Sequence, residues 1–556
     1  MSEQRTPRQK LNLRWGQLKE ERSSWLDHWK DISDYLLPRS GRFFVEDRNR
    51  GQKRHNSIYD NTGTRALRTL AAGLMAGMTS PARPWFRLTT SDPQLDEAAP
   101  VKAWLADVTR LMQIVFAKSN TYLALHTIYE ELGAFGTAST IVLPDYDTVI
   151  HHHPLTVGEY AIATDYRGKV NTLYREFQLT VAQMVAEFGK DKCSHTVQSL
   201  YEQGALDKWI TVIHAIEPRT DRDTRKRDAV NMPWKSVYFE PGSEDGRFLR
   251  ESGFKEFPAL SPRWAKSGGD IYGNSPAMEA LGDIKQLQHE QLRKAQGIDY
   301  KTKPPLQMPT NMKGNIADTL PGGITYLDTA SPTGGIRTAF EVNIDLSHLL
   351  EDIRDVRERI KASFYADLFL MLANNDLGRM TATEVAERHE EKLLMLGPVL
   401  ERLHNEILSP MIDMVFNRMV EAGILPPPPE ELQDTELAVE FVSMLAQAQR
   451  AVATNSVDRF VGNLGAVARL KPDVLDKLDA DRWADAYADM LGIDPELIVP
   501  GEQVAIIRQQ RAEAAQAQQQ AEMLQQGADA ASKLGGIKTN EPNLLTDATA
   551  AFSGYT

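Results

Sequence analysis

Ser275-Pro276-Ala277-Met278-Glu279 opens one amphipathic helix and Asp345-Leu346-Ser347-His348-Leu349 opens another, and what lies between them decides the fold. Ser275 is placed to cap free N–H groups, and Pro276 takes the first helical position, where its missing donor costs nothing. The first helix is expected over 275–300, fading near Ile298. Pro304 to Phe340 then holds five prolines and five glycines, including Pro304-Pro305, Gly322-Gly323 and Gly334-Gly335. No long helix crosses such a stretch, so 301–344 is an insert of turns and short strands. The second helix, 345–372, carries Leu346, Leu349, Ile353, Val356, Ile360, Phe364, Leu368 and Met371 at spacings of three and four, the stripe of one helical face. Asp352, Arg354, Asp355, Arg357, Glu358, Arg359 and Lys361 occupy the other positions, so the opposite face is wet or lines a polar passage.

After a polar segment, 373–380, a third helix restarts with a capping box in which Thr381 and Glu384 satisfy each other's orphan backbone donors. Val385, His389, Leu393, Leu396, Leu400, Leu403, Ile407, Met411, Val415 and Met419 hold one face of it, while Pro398 and Pro410 predict kinks. Pro426 to Pro429 ends it.

Several runs carry a resemblance to a known family. They are Met380-Thr381-Ala382-Thr383-Glu384-Val385-Ala386-Glu387-Arg388, Asp367-Leu368-Phe369-Leu370-Met371-Leu372 and Leu396-Gly397-Pro398-Val399-Leu400. Upstream stand Leu70-Ala71-Ala72-Gly73-Leu74-Met75-Ala76-Gly77-Met78-Thr79-Ser80-Pro81 with Arg83-Pro84-Trp85-Phe86, and Pro262-Arg263-Trp264 with Tyr272-Gly273-Asn274-Ser275-Pro276. In this order, across most of 10–450, the chain resembles the head-to-tail connector, or portal, family of short-tailed tailed phages.

The resemblance implies an α+β, mainly α, portal-type subunit. Residues 1–274 would form N-terminal helices and a wing, 275–300 and 345–372 the stem helices, 301–344 the clip and 373–380 the tunnel loop. A long kinked helix would follow over 381–430, then a helical crown over 431–500, a C-terminal barrel helix over 501–527 and a flexible tail over 528–556. It implies a homo-oligomeric ring of twelve at one capsid vertex, passing double-stranded DNA in packaging and ejection. Implied partners are the terminase large subunit, a tail adaptor protein, and the major capsid and scaffolding proteins. Assembly would take place in the host cytoplasm, with the virion as destination. The tunnel-loop candidates are Asn374, Asn375, Asp376, Leu377, Gly378 and Arg379, and the clip docking candidates are Lys313, Asn315, Asp318, Thr319 and Asp328. Two other readings stand beside this one: a capsid-internal scaffold or core protein without a channel, and a histidine-dependent metallohydrolase.

The composition bounds these readings. With 556 residues, 42% hydrophobic and 25% charged, the chain has the balance of a soluble globular protein too long for one ordinary core. No apolar signal core follows Met1, and Leu70 to Met78 is too short to span a bilayer, so no membrane partner is expected. The single cysteine, Cys193, excludes an intrachain disulfide and reads as a small buried side chain. A static DNA binder is usually basic, whereas this chain carries a formal charge of −13. A passage through which DNA slides is served better by an acidic or mixed lining, because tight phosphate contacts would act as brakes.

Residues 11–37 form an amphipathic helix with Trp15, Leu18, Trp25, Trp29, Ile32 and Leu36 on its stripe and Arg22 as the only interruption. The basic segment that follows, with Arg39, Arg42, Arg48, Arg50, Lys53 and Arg54 around Phe43 and Phe44, reads as solvated surface or as a partner for acidic groups of a neighbour before it reads as a nucleic-acid contact. Helices are expected over 62–79, 98–117 and 121–135, then strands at 140–143, 149–153, 160–164, 170–177, 209–217 and 235–239.

The chemistry of a site is thin. No G-x-x-x-x-G-K-[ST] phosphate loop occurs, so no nucleotide hydrolysis and no cofactor are expected. His389-Glu390-Glu391 lacks the second histidine of a zinc-protease helix. In His151-His152-His153, alternation puts His151 and His153 on one strand face, one ligand short of a catalytic zinc site unless Asp145 or Asp147 joins them.

Overall fold

The computed structural model describes residues 6–43, 57–96, 98–242, 247–303, 306–307, 337–338, 347–373, 395–432, 437–443, 460–469, 471, 473–474, 478–491, 499, 503–518 and 523. The chain divides into two compact units, Met1–Gln449 and Arg450–Thr556.

Helix α1 (Pro7–Tyr35) starts at a reciprocal capping box between Thr6 and Gln9 and buries Leu11, Trp15, Leu18, Trp29 and Ile32. Arg22, the break in its apolar stripe, is itself buried at 5% exposure. Its guanidinium donates to the carbonyls of Gly158 at 3.1 Å and of Tyr160, so the charge ties α1 to a loop instead of reaching water. Helix α2 (Thr62–Met78) leads into β1 (Phe86–Thr90), α3 (Pro93–Asp96), α4 (Ala99–Lys118) and α5 (Thr121–Phe135). Gly136 ends α5 in the left-handed region at φ 72°, pressed so closely on the backbone of Gly273 that a Cβ would meet its carbonyl oxygen at 2.1 Å.

Two antiparallel sheets follow. In the smaller, β2 (Ser139–Asp145) lies between β3 (Val149–Leu155) and β9 (Ala259–Leu260). The larger runs in chain order: β4 (Tyr160–Thr164), β5 (Val170–Thr180), β6 (Trp209–Pro218), β7 (Trp234–Phe239) and β8 (Arg250–Phe254). Between β5 and β6 stand α6 (Val181–Phe188) and α7 (His195–Glu202), whose small core holds Val181, Met184, Val197 and the buried Cys193.

Helix α8 (Pro276–Thr302) is capped by Ser275, whose hydroxyl accepts from Met278 N–H at 3.0 Å and donates to the Ala134 carbonyl at 2.7 Å. The insert is entered and left through a short antiparallel ladder, β10 (Leu306–Gln307) with β11 (Arg337–Thr338). Where the stripe spacing predicts one helix over 345–372, the chain forms two, α9 (Ser347–Ser363) and α10 (Ala366–Ala373). Tyr365 interrupts them with φ 53°, a left-handed residue to which an apolar spacing is blind. The predicted kink at Pro410 takes the form of a π-helical turn, His404–Leu408, ahead of the Ser409–Glu421 helix. Proline cannot donate back and its ring crowds the carbonyl four residues earlier, and the wider turn relieves both.

The expectation of helix throughout 431–500 needs correction: Leu437–Phe441 is a strand, β12, paired antiparallel with β1 from Phe86↔Phe441 to Thr90↔Leu437. Its Leu-Ala-Val-Glu-Phe alternation suits a strand, and the partner that stabilises it lies far away in sequence. In the second unit Ala480–Leu491 is helical, Arg508 forms a two-pronged pair with Asp481, and residues 503–518 are helical.

Candidate functional site

Helices α8 and α9 pack with Ala280, Ile284, Leu287, Ile353, Val356 and Ile360 buried in one core. Asp283 meets Arg359 at 3.2 Å, and Glu290 meets Asp352 further along α8, so the two helices run antiparallel. Asp60, which precedes α2, binds both. Its carboxylate accepts from Arg357 at 2.6 and 3.1 Å, from Gln291 at 3.0 Å and from the Thr62 hydroxyl at 2.5 Å. Gln288 completes the joint by accepting from the Tyr59 and Asp60 N–H groups at 2.6 and 2.8 Å and donating to the Asp60 carbonyl at 2.9 Å. Burial alone would raise the Asp60 carboxyl, but the bonds from Thr62 and Arg357 outweigh it and hold it below its ordinary value. Glu290 goes the other way: burial and the facing Asp352 raise it, against the bond from Gln286 at 2.6 Å.

Away from this joint, α9 exposes Glu351, Asp352, Arg354, Asp355, Glu358, Arg359 and Lys361, a mixed-sign face. Ile298 and Tyr300 of α8, two positions apart and so on different sides of the helix, and Leu350 of α9 stay 43%, 50% and 48% exposed.

Two quoted motifs meet beneath the end of this pair. The Phe369 ring of α10 fills the notch left by Gly73 on α2, and Leu368 is fully buried beside it. A third motif supplies Arg263, whose guanidinium forks onto Glu406 at 2.7 and 3.1 Å and donates to the Gly168 carbonyl at 2.9 Å. Glu406 sits in the π-helical turn, so this distortion presents the carboxylate to a buried arginine.

The tunnel-loop candidates Asn374, Asn375, Asp376, Leu377, Gly378 and Arg379 lie outside the described residues, as do Thr381 and Glu384 and the clip candidates Lys313, Asn315, Asp318, Thr319 and Asp328. Helix α10 ends at Ala373, where the first of these segments begins, and the β10–β11 ladder brackets the second. His151 and His153 share a strand face with ring centroids 4.8 Å apart. Asp145, their nearest acid in the reading above, instead accepts from the Thr148 N–H and hydroxyl at 2.9 and 2.7 Å. Among the described residues no three His, Cys, Asp or Glu side chains converge to hold a metal ion. Sequence reasoning missed Asp60, Gln288 and the Arg263–Glu406 pair. Arg263 stood in a quoted motif, but each of these residues has a partner across the fold, and nothing local marks the pairing.

A family model described as "Bacteriophage head to tail connecting protein" matches residues 8–499. The chain belongs to that family. It is a head-to-tail connector, and so a component of the phage particle. A probable portal protein of Bordetella phage BPP-1 is 75% identical over 556 residues, covering 100% of both chains. The portal protein of Salmonella phage epsilon15 is 46% identical over 542 residues, 97% of this chain and 98% of that one. The portal protein of Escherichia phage T7 is 22% identical over 479 residues, 82% of each. Among the described residues no helix is long and apolar enough to cross a membrane.

Proposed function

We propose that twelve copies close into a ring at one capsid vertex, through which double-stranded DNA is packaged and later ejected. The observation that carries this is the antiparallel α8–α9 pair, which leaves Ile298, Tyr300 and Leu350 exposed around it beside a mixed-charge face. Neighbours on both sides in a closed ring would cover such side chains equally in every subunit. In this reading α8 and α9 with α10 are the stem, the insert between them is the clip that docks the terminase large subunit and then the tail adaptor, and 373–380 is the tunnel loop. The β4–β8 sheet with its helices is the wing, 431–500 belongs to the crown, and 503–518 lies in a barrel helix. Major capsid and scaffolding proteins meet the ring during head assembly in the host cytoplasm. The ring itself is not an enzyme, and ATP turnover belongs to the docked motor.

Native mass measurement with negative-stain imaging tests this. The expected result is particles of twelve times 62.3 kDa with a central hole. Monomers or dimers at concentrations where the protein stays soluble would overturn it.

A further inference from the structure

The β1–β12 ribbon has an open side. Leu88 N–H turns away from the ribbon to the Thr109 hydroxyl at 3.2 Å, and Thr90 N–H to Asp96 at 2.7 Å. The opposite pairs Leu88↔Val439 and Thr90↔Leu437 are therefore the non-hydrogen-bonded kind, in which both residues aim their N–H and C=O outward. On β1 that outer edge is covered by the α3–α4 region. On β12 no described group accepts from the outward N–H of Leu437 or Val439. A strand edge of this kind is a template for another chain unless it is covered.

Beside this edge lies an apolar groove of about 510 Å³, walled by Trp104, Phe416, Val420, Leu425, Leu437 and Val439. Val420 is 54% exposed although it lines an apolar wall. The polyproline turn shapes one side, fixed by a bond from Trp104 Nε1–H to the Pro426 carbonyl at 3.1 Å. Asp413 is the one acid in the lining. Burial raises its carboxyl, Lys169 acts against that from a distance, and among the described residues no ion pair closes on it, so the carboxylate has room for a cation.

We propose that β12 is a docking edge for an extended segment of another protein. That segment adds as a third strand, with alternate apolar side chains in the groove and one lysine or arginine reaching Asp413. Main-chain bonds to Leu437 and Val439 would supply affinity, and the groove and Asp413 would supply selectivity. This does not depend on the ring model, because every residue it uses lies in one subunit.

The probe is a labelled nine-residue peptide in which leucine alternates with serine and the central leucine is replaced by lysine, titrated against the full chain by fluorescence anisotropy. Saturable binding is expected. Val439→Pro removes an outward donor while sparing the bonds to β1, and edge strands tolerate proline, so it should weaken binding at least tenfold with the circular dichroism spectrum unchanged. Phe416→Glu should do the same by placing an unpaired charge in the apolar wall. Asp413→Asn should weaken the lysine peptide several-fold yet leave its norleucine counterpart unaffected. The proposal is overturned if the parent does not bind, or if Val439→Pro binds as well as the parent. It is equally overturned if Val439→Pro changes the subunit number of the assembly, since the occupant would then be a neighbouring copy.

Discussion

At Gly73 an added Cβ would stand 2.1 Å from Cγ of Phe369, so the two helices touch only because that position has no side chain. Gly73→Ala is expected to cost about 1–3 kcal/mol through overpacking, and Phe369→Ala about 3–5 kcal/mol through the cavity it leaves. In the double variant the contacts with the ring are gone and only the Cβ of residue 369, at 2.7 Å, remains, so the cost of the alanine at 73 should fall without vanishing. A double-mutant cycle by chemical denaturation that returned simple additivity would rule out this contact. Glu131 offers a test of a different kind. Burial raises its carboxyl from 4.5 to about 8, against bonds donated by the Thr156 hydroxyl and Val157 N–H, with Glu159 and Glu130 raising it further. The folded value lies above the unfolded one, so the folded state holds the proton longer. That stabilisation is complete below pH 4.5 and is lost as pH rises through about 8. Glu131→Gln keeps an acceptor for Thr156 and cannot ionise. Its melting temperature should therefore fall less than the parent's between pH 4.5 and pH 8, and parallel profiles would show that the carboxyl does not titrate there.

Among the elements, those that keep a local signal were legible. Pro7–Tyr35, Thr121–Phe135 and Pro276–Thr302 follow apolar spacing, the last with its own Ser275 cap, and the β4–β7 strands follow runs rich in β-branched and aromatic residues. The break at Tyr365 was not legible, because the apolar spacing passes through Phe364 and Leu368 without interruption while a single left-handed φ ends one helix and starts the next. Nor was β12, which exists by virtue of a partner strand far upstream. The π-helical turn at His404–Leu408 lies between these cases: Pro410 announced a distortion, but its use, holding Glu406 against Arg263, depends on a loop more than a hundred residues away. Removing one member of such a buried pair leaves the other charge without compensation. Glu406→Gln should accordingly cost about 3–5 kcal/mol, whereas Glu401→Gln on the exposed side of the same helix should change stability by about 0.5 kcal/mol or less. Equal costs for the two variants, measured by urea unfolding, would mean that the turn is an ordinary consequence of Pro410 and that Glu406 holds nothing.

For the whole molecule, the helix that enters the insert and the presence of short strands within it were readable, the pairing of β10 with β11 was not, and the candidate residues within the insert and the 373–380 segment rest on the family resemblance and the sequence alone. Asn374 to Arg379 is polar and holds Gly378, between the apolar end of α10 and the Thr381 capping box. A segment of that composition has little to contribute to a core, and in a twelve-fold ring it would repeat around the bore. Arg379 would touch phosphates in passing or pair with Asp376 of a neighbouring copy, and one exposed ion pair per interface, at about 0–1 kcal/mol, is too little to decide whether a ring forms. The triple variant Asn374→Ala, Asn375→Ala, Arg379→Ala is therefore expected to form rings of unchanged mass and thermal stability. Heads filled by those rings should retain a different amount of DNA, measured by nuclease protection after packaging. Rings that fail to form would make the segment structural, and heads that fill and retain DNA like the parent's would remove it from the channel.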